Sequence, residues 1–415
     1  MLLSQEKTLK GRALLWALTV VYFASYMMRV NLAAVIQEIV TDTGFEKSRL
    51  SVILICLSVT YGLGQILNGW IADKIRPQNM VFFGSMISTL VNLSFPLFSQ
   101  SVLSMAILWG INGFAQAMMW PPIMRIMVEN FEGEEYNFAQ IFITWGTTIA
   151  TVFIYLVSPL LITVSSWKVV FLVCGTVGVI GCTSWGILKH RIPTSLSKST
   201  AKDSAEVQKQ RAARIPIPAV AFLPLILVAV GVMCHGMLRD GVTAWMPSYL
   251  AEVFALGNST AIFCTVALAL FSGVAVTIVG AIYKKWFKSE IFCAFCIFLV
   301  AALSSLVLFF FFEGGGAILA ILMMTLITGC MHGVNFMLVS HFPKRFKKYG
   351  NVAMITGTIN ACSHVGAAIF TYGIAVLSEK IGWRLTVGIW FIIAAIGMTV
   401  CLIAYLRWKK KMLEE

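Results

Sequence analysis

The chain has 415 residues, of which 59% are hydrophobic and only 12% are charged. A water-soluble protein of this size does not hold so much apolar sequence in its interior, so the composition predicts a membrane protein. The net charge of +13 lies mostly in the loops between apolar stretches, which argues against a nucleic-acid partner.

Twelve apolar stretches are long enough to cross a bilayer, for which a helix needs about 20 residues. They lack the alternation of barrel strands, so the sequence predicts an all-α membrane protein with twelve transmembrane helices. The spans cover about residues 12–37, 49–72, 79–99, 101–128, 138–163, 167–190, 219–245, 258–283, 289–312, 316–340, 351–378 and 383–407.

Span 1 contains Arg29. A guanidinium cannot lose its proton and costs roughly 2.5–3.5 kcal/mol at the centre of a membrane helix, so an arginine there indicates function. Helical spacing places Tyr22 and Tyr26 on the face of Arg29, and Tyr61 follows in span 2. Tyrosine hydroxyls donate to an anion without adding charge, although each ring could instead serve only for packing.

Two motifs stand out in the rest of the first half. Gly69-x-x-x-Asp73-Lys74 closes span 2, where Asp73 is available to a neighbouring helix terminus or basic residue. Trp120-Pro121-Pro122 interrupts span 4, because proline bends a helix and releases its carbonyl groups. Such a break suits either a moving bundle or a fixed bend.

Residues 191–218 are rich in Ser, Ala, Lys, Arg and Pro and have no apolar face, which indicates a linker between two halves. We therefore predict an N-terminal six-helix bundle over 1–190, a cytoplasmic linker over 191–218 and a C-terminal six-helix bundle over 219–415.

Span 7 opens the second half and contains Arg239, 210 positions after Arg29. His235 lies one helical turn before Arg239 and shares its face. It could bind substrate, carry a proton or simply pack against a neighbouring helix. Asp240 is adjacent to Arg239, and adjacent helix positions point about 100° apart, so we expect Asp240 not to neutralise it.

The two halves resemble each other at near-constant offsets. The end of span 2, Gly69 to Lys74, matches Gly280 to Lys285, and Ser166-Trp167-Lys168 matches Gly382-Trp383-Arg384. The pattern predicts two pseudo-symmetric bundles, an architecture in which transporters bind substrate between the repeats near mid-depth. We expect the guanidinium groups of Arg29 and Arg239 to hold one anionic group through bidentate hydrogen bonds. The alternative is that each guanidinium donates to backbone carbonyl groups or extends to the membrane–water interface.

Basic residues set the expected orientation. Of the 31 Lys and Arg, 23 lie at the termini and in the even-numbered loops, which puts both termini of a multi-pass cell-membrane protein in the cytoplasm. All ten cysteines lie inside spans, so neither disulfides nor a metal site are expected. The sequence has no nucleotide, metal or nucleophile motif, so we expect no enzyme, no catalytic residues and no cofactor.

Several segments resemble the organophosphate:inorganic phosphate antiporters of the major facilitator superfamily, which include the glycerol-3-phosphate and hexose-6-phosphate transporters. The resemblance runs over most of the chain and is strongest in Tyr22–Asn31, Tyr61–Lys74, Gly113–Met127 and Leu238–Leu250. It implies the major facilitator fold. It also implies that the phosphate-binding arginines of helices 1 and 7 correspond to Arg29 and Arg239, and the pocket tyrosines to Tyr22, Tyr26 and Tyr61.

The chain departs from this family at three positions. The family's pocket lysine of helix 2 falls on Gln65, its helix 5 histidine falls on about Thr147, and the tyrosine after the helix 7 arginine is Asp240. The expected phosphate-binding charge is therefore reduced, and a carboxylate substrate stays open. The complete set of residues expected to bind substrate is Arg29, Arg239, Tyr22, Tyr26, Tyr61, Gln65, Trp120, Thr147 and His235.

These observations predict a monomeric secondary transporter that moves a small organic anion through the bilayer by alternating access. The resemblance implies a phosphorylated metabolite exchanged for inorganic phosphate. The first alternative is a proton- or sodium-coupled symporter of carboxylates such as sugar acids, in which Asp240 or His235 would titrate. The second alternative is a transporter-like membrane sensor that binds ligand and signals to a partner.

Overall fold

The computed structural model describes residues 2–45, 47–192, 222–255, 258–312, 314–349 and 351–414. Positions 193–218 of the predicted linker lie outside these ranges. The long helices of the described part are α1 (Leu2–Thr43), α2 (Lys47–Ala72), α3 (Pro77–Ser94), α4 (Val102–Ala117), α5 (Trp120–Asn130), α6 (Gly133–Val164), α7 (Trp167–Leu188), α8 (Phe222–Phe254), α9 (Asn258–Trp286), α10 (Glu290–Phe310), α11 (Gly316–Asn335) and α12 (Val352–Glu414).

Twelve helical segments within the described ranges are long and apolar enough to cross a membrane, which confirms the predicted all-α fold with twelve spans. One span, Val102–Asn130, combines α4 and α5, whereas α12 supplies two spans, Val352–Thr371 and Lys380–Trp408. Gly382 separates the two parts of α12 with a φ of 78°, a conformation that glycine adopts without steric cost.

Span 4 is broken at the position that the sequence indicated. Helix α4 ends at Ala117 and α5 begins at Trp120, so Pro121 and Pro122 fall in the first turn of α5. Proline is tolerated there because the first N–H groups of a helix have no acceptor within the helix. The two prolines therefore mark the beginning of a new helix.

By its internal contacts the chain separates into two compact units. Unit 1 comprises Met1–Ile215 with Phe346–Thr358, and unit 2 comprises Pro216–Arg345 with Ile359–Glu415. The first turns of α12 thus belong to unit 1, although they come from the second half of the sequence. The domain boundaries at 190 and 219 stay a prediction.

In unit 1, α1 packs on α6 and α7, α2 packs on α4, and α3 packs on α7. Small residues allow this close approach: a Cβ at Gly113 of α4 would overlap the Leu57 carbonyl of α2. The apolar core includes a stack of Phe95 on Phe171, with ring centroids 4.5 Å apart, and Trp109 at its edge. Interdigitated cores of this kind hold helices in fixed register.

In unit 2, α11 lies centrally and packs on α8, α9 and α10. Helix α8 meets α12 backbone to backbone at two glycines. A Cβ on Gly236 would overlap the Ser363 carbonyl, and a Cβ on Gly366 would overlap the Met233 carbonyl. Glycine is required at both positions because no side chain fits between the two helices.

Asp73, at the end of the span 2 motif, has the helix-terminus role that the sequence suggested. Its carboxylate accepts hydrogen bonds from the backbone N–H groups of Ala353 and Met354, at 3.1 and 2.7 Å. These donors belong to the first turn of α12, where a negative charge is stabilised by the exposed N–H groups and the helix dipole. Asp73 therefore anchors the beginning of α12 within unit 1.

Candidate functional site

Arg29 of α1 lies among aromatic side chains. Its guanidinium carbon is 4.0 Å from the centre of the Tyr61 ring and 5.7 Å from that of Tyr26. Tyr22 packs edge-on against Tyr26 at 5.2 Å and stacks on Trp120 at 5.3 Å. The structure thus brings five of the expected site residues into one cluster, which we call the aromatic cluster: Tyr22, Tyr26, Arg29, Tyr61 and Trp120.

The aromatic cluster attracts the guanidinium without neutralising it. Ring faces carry partial negative charge, and a desolvated cation–π contact is worth about 2 kcal/mol. Among the residues that the structure describes, no Asp or Glu forms an ion pair with Arg29. The full positive charge of Arg29 therefore stays available to an anion.

A buried hydrogen-bond network fixes the helix that carries Arg29. Gln116 of α4 donates to the Ser25 carbonyl of α1 at 3.0 Å and to Ser88 Oγ of α3 at 2.7 Å, and accepts from Ser25 Oγ. Asn112 donates to the Met28 carbonyl at 3.0 Å. The carbonyl of the residue before Arg29 is thus bonded from a neighbouring helix, which sets the rotation of α1.

Two further expected residues of unit 1 have other surroundings. Gln65 lies one turn after Tyr61 on α2 and is fully buried. A Cβ on Gly357 would overlap the backbone carbonyl oxygen of Gln65. The Thr147 hydroxyl donates to the Thr144 carbonyl of its own helix at 2.8 Å. A role for either side chain in substrate binding stays a prediction.

Arg239 of α8 forms a bidentate ion pair with Asp240. Arg239 Nε donates to Oδ1 at 2.6 Å and Nη2 donates to Oδ2 at 2.9 Å. The expectation that Asp240 leaves Arg239 without an acidic partner is therefore wrong. The 100° between adjacent positions describes where side chains leave the backbone, and the long arginine side chain reaches around the helix to the short aspartate.

His235 is fully buried between α8 and α12. Its Nδ1 lies 3.2 Å from the Val232 carbonyl and 3.2 Å from Ser363 Oγ. The face of α8 that carries His235 therefore contacts α12. His235 also interacts electrostatically with Arg239 and Asp240, so it belongs to the surroundings of the ion pair.

Two other histidines of unit 2 interact electrostatically with the same ion pair. His332 of α11 interacts electrostatically with Arg239 and Asp240, and His364 of α12 does so with Asp240. The sequence shows each as a lone polar residue in an apolar span, and only the packing of three helices brings them together. Unit 2 thus has an aspartate and histidines near Arg239, whereas unit 1 has aromatic rings around Arg29.

Within the described ranges, no group of three or more His, Cys, Asp or Glu is arranged to hold a metal ion. Arginine forks suit planar or tetrahedral anions that accept two parallel hydrogen bonds, such as carboxylates, sulfonates and phosphates.

Comparison with known proteins identifies the family. The family model of the Major Facilitator Superfamily matches residues 18–371, which is well over half of the chain. The chain belongs to the major facilitator superfamily. This membership agrees with the predicted multi-pass membrane architecture.

Named relatives are similar over part of the chain. The probable hexose phosphate transport protein of Chlamydia pneumoniae is 28% identical over 149 residues, covering 35% of this chain and 32% of the relative. The glycerol-3-phosphate transporter of Bacillus subtilis is 25% identical, covering 65% and 64%. The D-galactonate transporter of Escherichia coli is 28% identical, covering 61% and 62%. The matches span less than two thirds of each relative, and they confirm the resemblance to organophosphate transporters.

Solved structures agree on the fold. The human organic anion transporter MFSD10 superposes with a TM-score of 0.75 over 94% of this chain and 99% of that chain, at 12% sequence identity. At this identity the likeness concerns the fold alone. This major facilitator thus has a confirmed architecture, and its substrate has to be argued from its own site.

Proposed function

We propose that this major facilitator carries a small organic anion across the cell membrane by alternating access, with Arg29 and Arg239 binding the anionic group. Arg29 carries the proposal: it is a permanent cation inside a span, held by the rings of Tyr26 and Tyr61. Such a cation is costly in a membrane, and an anionic substrate explains its presence. The basic loops favour cytoplasmic termini, and we expect a monomer.

The charge of Arg29 also suggests how transport is coupled. A ligand shifts a conformational equilibrium only by its differential affinity for the two states. A bound anion that engages both arginines together favours closure around it. An empty site leaves Arg29 without an anion, which raises the free energy of closing empty. This difference favours exchange of one anion for another over net movement.

The first substrate candidate is a phosphorylated metabolite exchanged for inorganic phosphate. The similarity to glycerol-3-phosphate and hexose phosphate transporters supports it. The aromatic cluster supports it as well, because Tyr22, Tyr26 and Tyr61 have their rings in the cluster of Arg29 and carry hydroxyl groups, which can donate to an anion. Phosphate oxygens accept several hydrogen bonds at once, so such donors increase affinity.

Purified protein provides the test. A thermal-shift screen against phosphate esters, phosphonates and carboxylates should first rank the anion classes. Liposomes loaded with phosphate should then take up labelled glycerol-3-phosphate faster than empty liposomes, because internal phosphate provides the return cargo. Arg29→Gln removes the charge and keeps a polar side chain, and it should abolish both the thermal shift and the phosphate-stimulated uptake. Uptake that is equally fast without internal anion would contradict exchange.

The second candidate is proton- or sodium-coupled symport of an organic carboxylate. The Arg239–Asp240 pair favours it, because a carboxylate that takes up a proton releases its arginine to the substrate. The similarity to a D-galactonate transporter supports it too. An imposed inward proton gradient should then accelerate galactonate uptake into liposomes, with a sodium gradient as the parallel measurement. A galactonate uptake rate that is unchanged by either gradient would contradict this second candidate.

A further inference from the structure

The ion pair on α8 resembles a site with a ligand already bound. The Asp240 carboxylate occupies two donors of the Arg239 fork, at 2.6 and 2.9 Å. This is the arrangement that a carboxylate substrate adopts on an arginine. The Arg239 and Asp240 side chains are 16% and 38% exposed, so neither is completely enclosed by the protein.

We propose that Asp240 is a built-in counter-anion that sets the substrate class: singly charged organic anions, carboxylates and sulfonates, bind in preference to doubly charged phosphates. This inference rests on the proposed function, in which Arg29 and Arg239 bind the same anion, and it favours the second substrate candidate, an organic carboxylate, over the first. Two arginines and one aspartate carry one net positive charge. A singly charged substrate balances this charge and a doubly charged one exceeds it.

Repulsion adds to the imbalance. An anion on Arg239 either displaces Asp240 from the fork or binds beside it, and in both cases the aspartate stays on the same helix turn. Charges near each other interact strongly where water is partly excluded, so each additional negative charge on the substrate increases the repulsion. A phosphate monoester carries close to two charges at neutral pH, by analogy with a phosphoserine side chain.

Among the residues that the structure describes, three histidines interact electrostatically with the pair. His235 lies on the same helix, His332 reaches it from α11, and His364 reaches it from α12. A protonated histidine would add positive charge and weaken the discrimination. The test is therefore made at pH 7.5, above the ordinary titration range of histidine.

The experiment compares two probe anions, galactonate and glycerol-3-phosphate, by calorimetric titration of the purified full chain. Wild type should bind galactonate more tightly. Asp240→Asn should shift the affinity ratio about fivefold towards glycerol-3-phosphate, the size expected for a partly exposed ion pair. Asp240→Glu keeps the charge and should keep the wild-type ratio. Glu290→Gln removes the carboxylate of the Arg345 pair in unit 2 and should leave the ratio unchanged.

The outcomes separate the inference from the function on which it rests. An unchanged ratio in folded Asp240→Asn protein, or a wild type that prefers glycerol-3-phosphate, overturns the inference and leaves anion transport standing. If Asp240→Asn does not fold, Asp240→Ser makes the same loss of charge and is judged by the same ratio. If neither probe binds wild type, and Arg29→Gln changes no thermal shift in the wider screen, the proposed function fails and the inference with it.

Discussion

Arg29 and Arg239 occupy matching positions in the two halves of the sequence, yet their surroundings differ in kind. Arg29 lies against tyrosine rings, which attract a cation and leave its charge in place. Arg239 is paired with a carboxylate that balances its charge. The two halves thus carry one arginine that keeps its charge and one whose charge is balanced, and we predict that the two contribute unequally to anion binding.

The helices that carry the two arginines are also held differently. Helix α1 is fixed by side-chain hydrogen bonds from Gln116 and Asn112. Helix α8 is fixed by direct backbone contact with α12 at Gly236 and Gly366. Directional bonds set the rotation of a helix, whereas close packing sets its distance from a neighbour. The two arginines are therefore positioned by different physical means.

Replacing each arginine by lysine should give the largest effect and tests whether Arg29 and Arg239 contribute unequally to anion binding. Lysine keeps the charge and loses the fork. Arg29→Lys should weaken anion binding about 10- to 100-fold, the effect of losing a charged hydrogen bond. Arg239→Lys should have a smaller effect, because Asp240 already competes for that fork. Calorimetry with the best-ranked anion measures both, and equal losses would contradict the unequal roles.

Substitutions of Tyr61 test whether the rings of the aromatic cluster hold the guanidinium group of Arg29. Tyr61→Leu removes the ring under the guanidinium and should weaken anion binding about tenfold, since a well-placed cation–π contact is worth up to about 2 kcal/mol. Tyr61→Phe keeps the ring and should lose less. Tyr155→Leu is the control, because Tyr155 is 45% exposed on α6. If Tyr61→Leu binds like wild type, the ring does not hold Arg29.

Disrupting the hydrogen-bond network that holds α1 should give the smallest effect, which is a decrease in the free energy of unfolding. Gln116→Leu removes three hydrogen bonds. Bonds between membrane helices average about 0.6 kcal/mol each, so the variant should lose about 2 kcal/mol. Thermal unfolding in detergent measures the loss.

The matched control for the network is Thr163→Ala. The Thr163 hydroxyl bonds only a carbonyl of its own helix, Leu160, so its loss should leave the melting temperature near that of wild type. Equal melting temperatures for Gln116→Leu and the control would show that the network does not stabilise α1.

The sequence predicted features that depend on local periodicity. Hydropathy is a property of each segment, so the twelve spans are read directly from the chain. Tyr22, Tyr26 and Arg29 share a face because helical spacing determines it. The proximity of Tyr61 to Arg29 was implied by the family resemblance, since no spacing rule links two helices.

Features that depend on side-chain reach or on packing between helices were missed or misjudged. The 100° between adjacent helix positions excluded Asp240 as a partner of Arg239, because this angle takes no account of the length of an arginine side chain. The contacts of Gln116 with Ser25 and Ser88 join three helices and have no local signature. The histidines near Asp240 come together only through the packing of α8, α11 and α12.

The contact of α8 with α12 at Gly236 and Gly366 leaves no room for one helix to slide a turn past the other. We therefore expect these two segments of α8 and α12 to move together in any conformational change. A displacement of α8 at Arg239 is then expected to move the part of α12 around Ser363 and Gly366 with it.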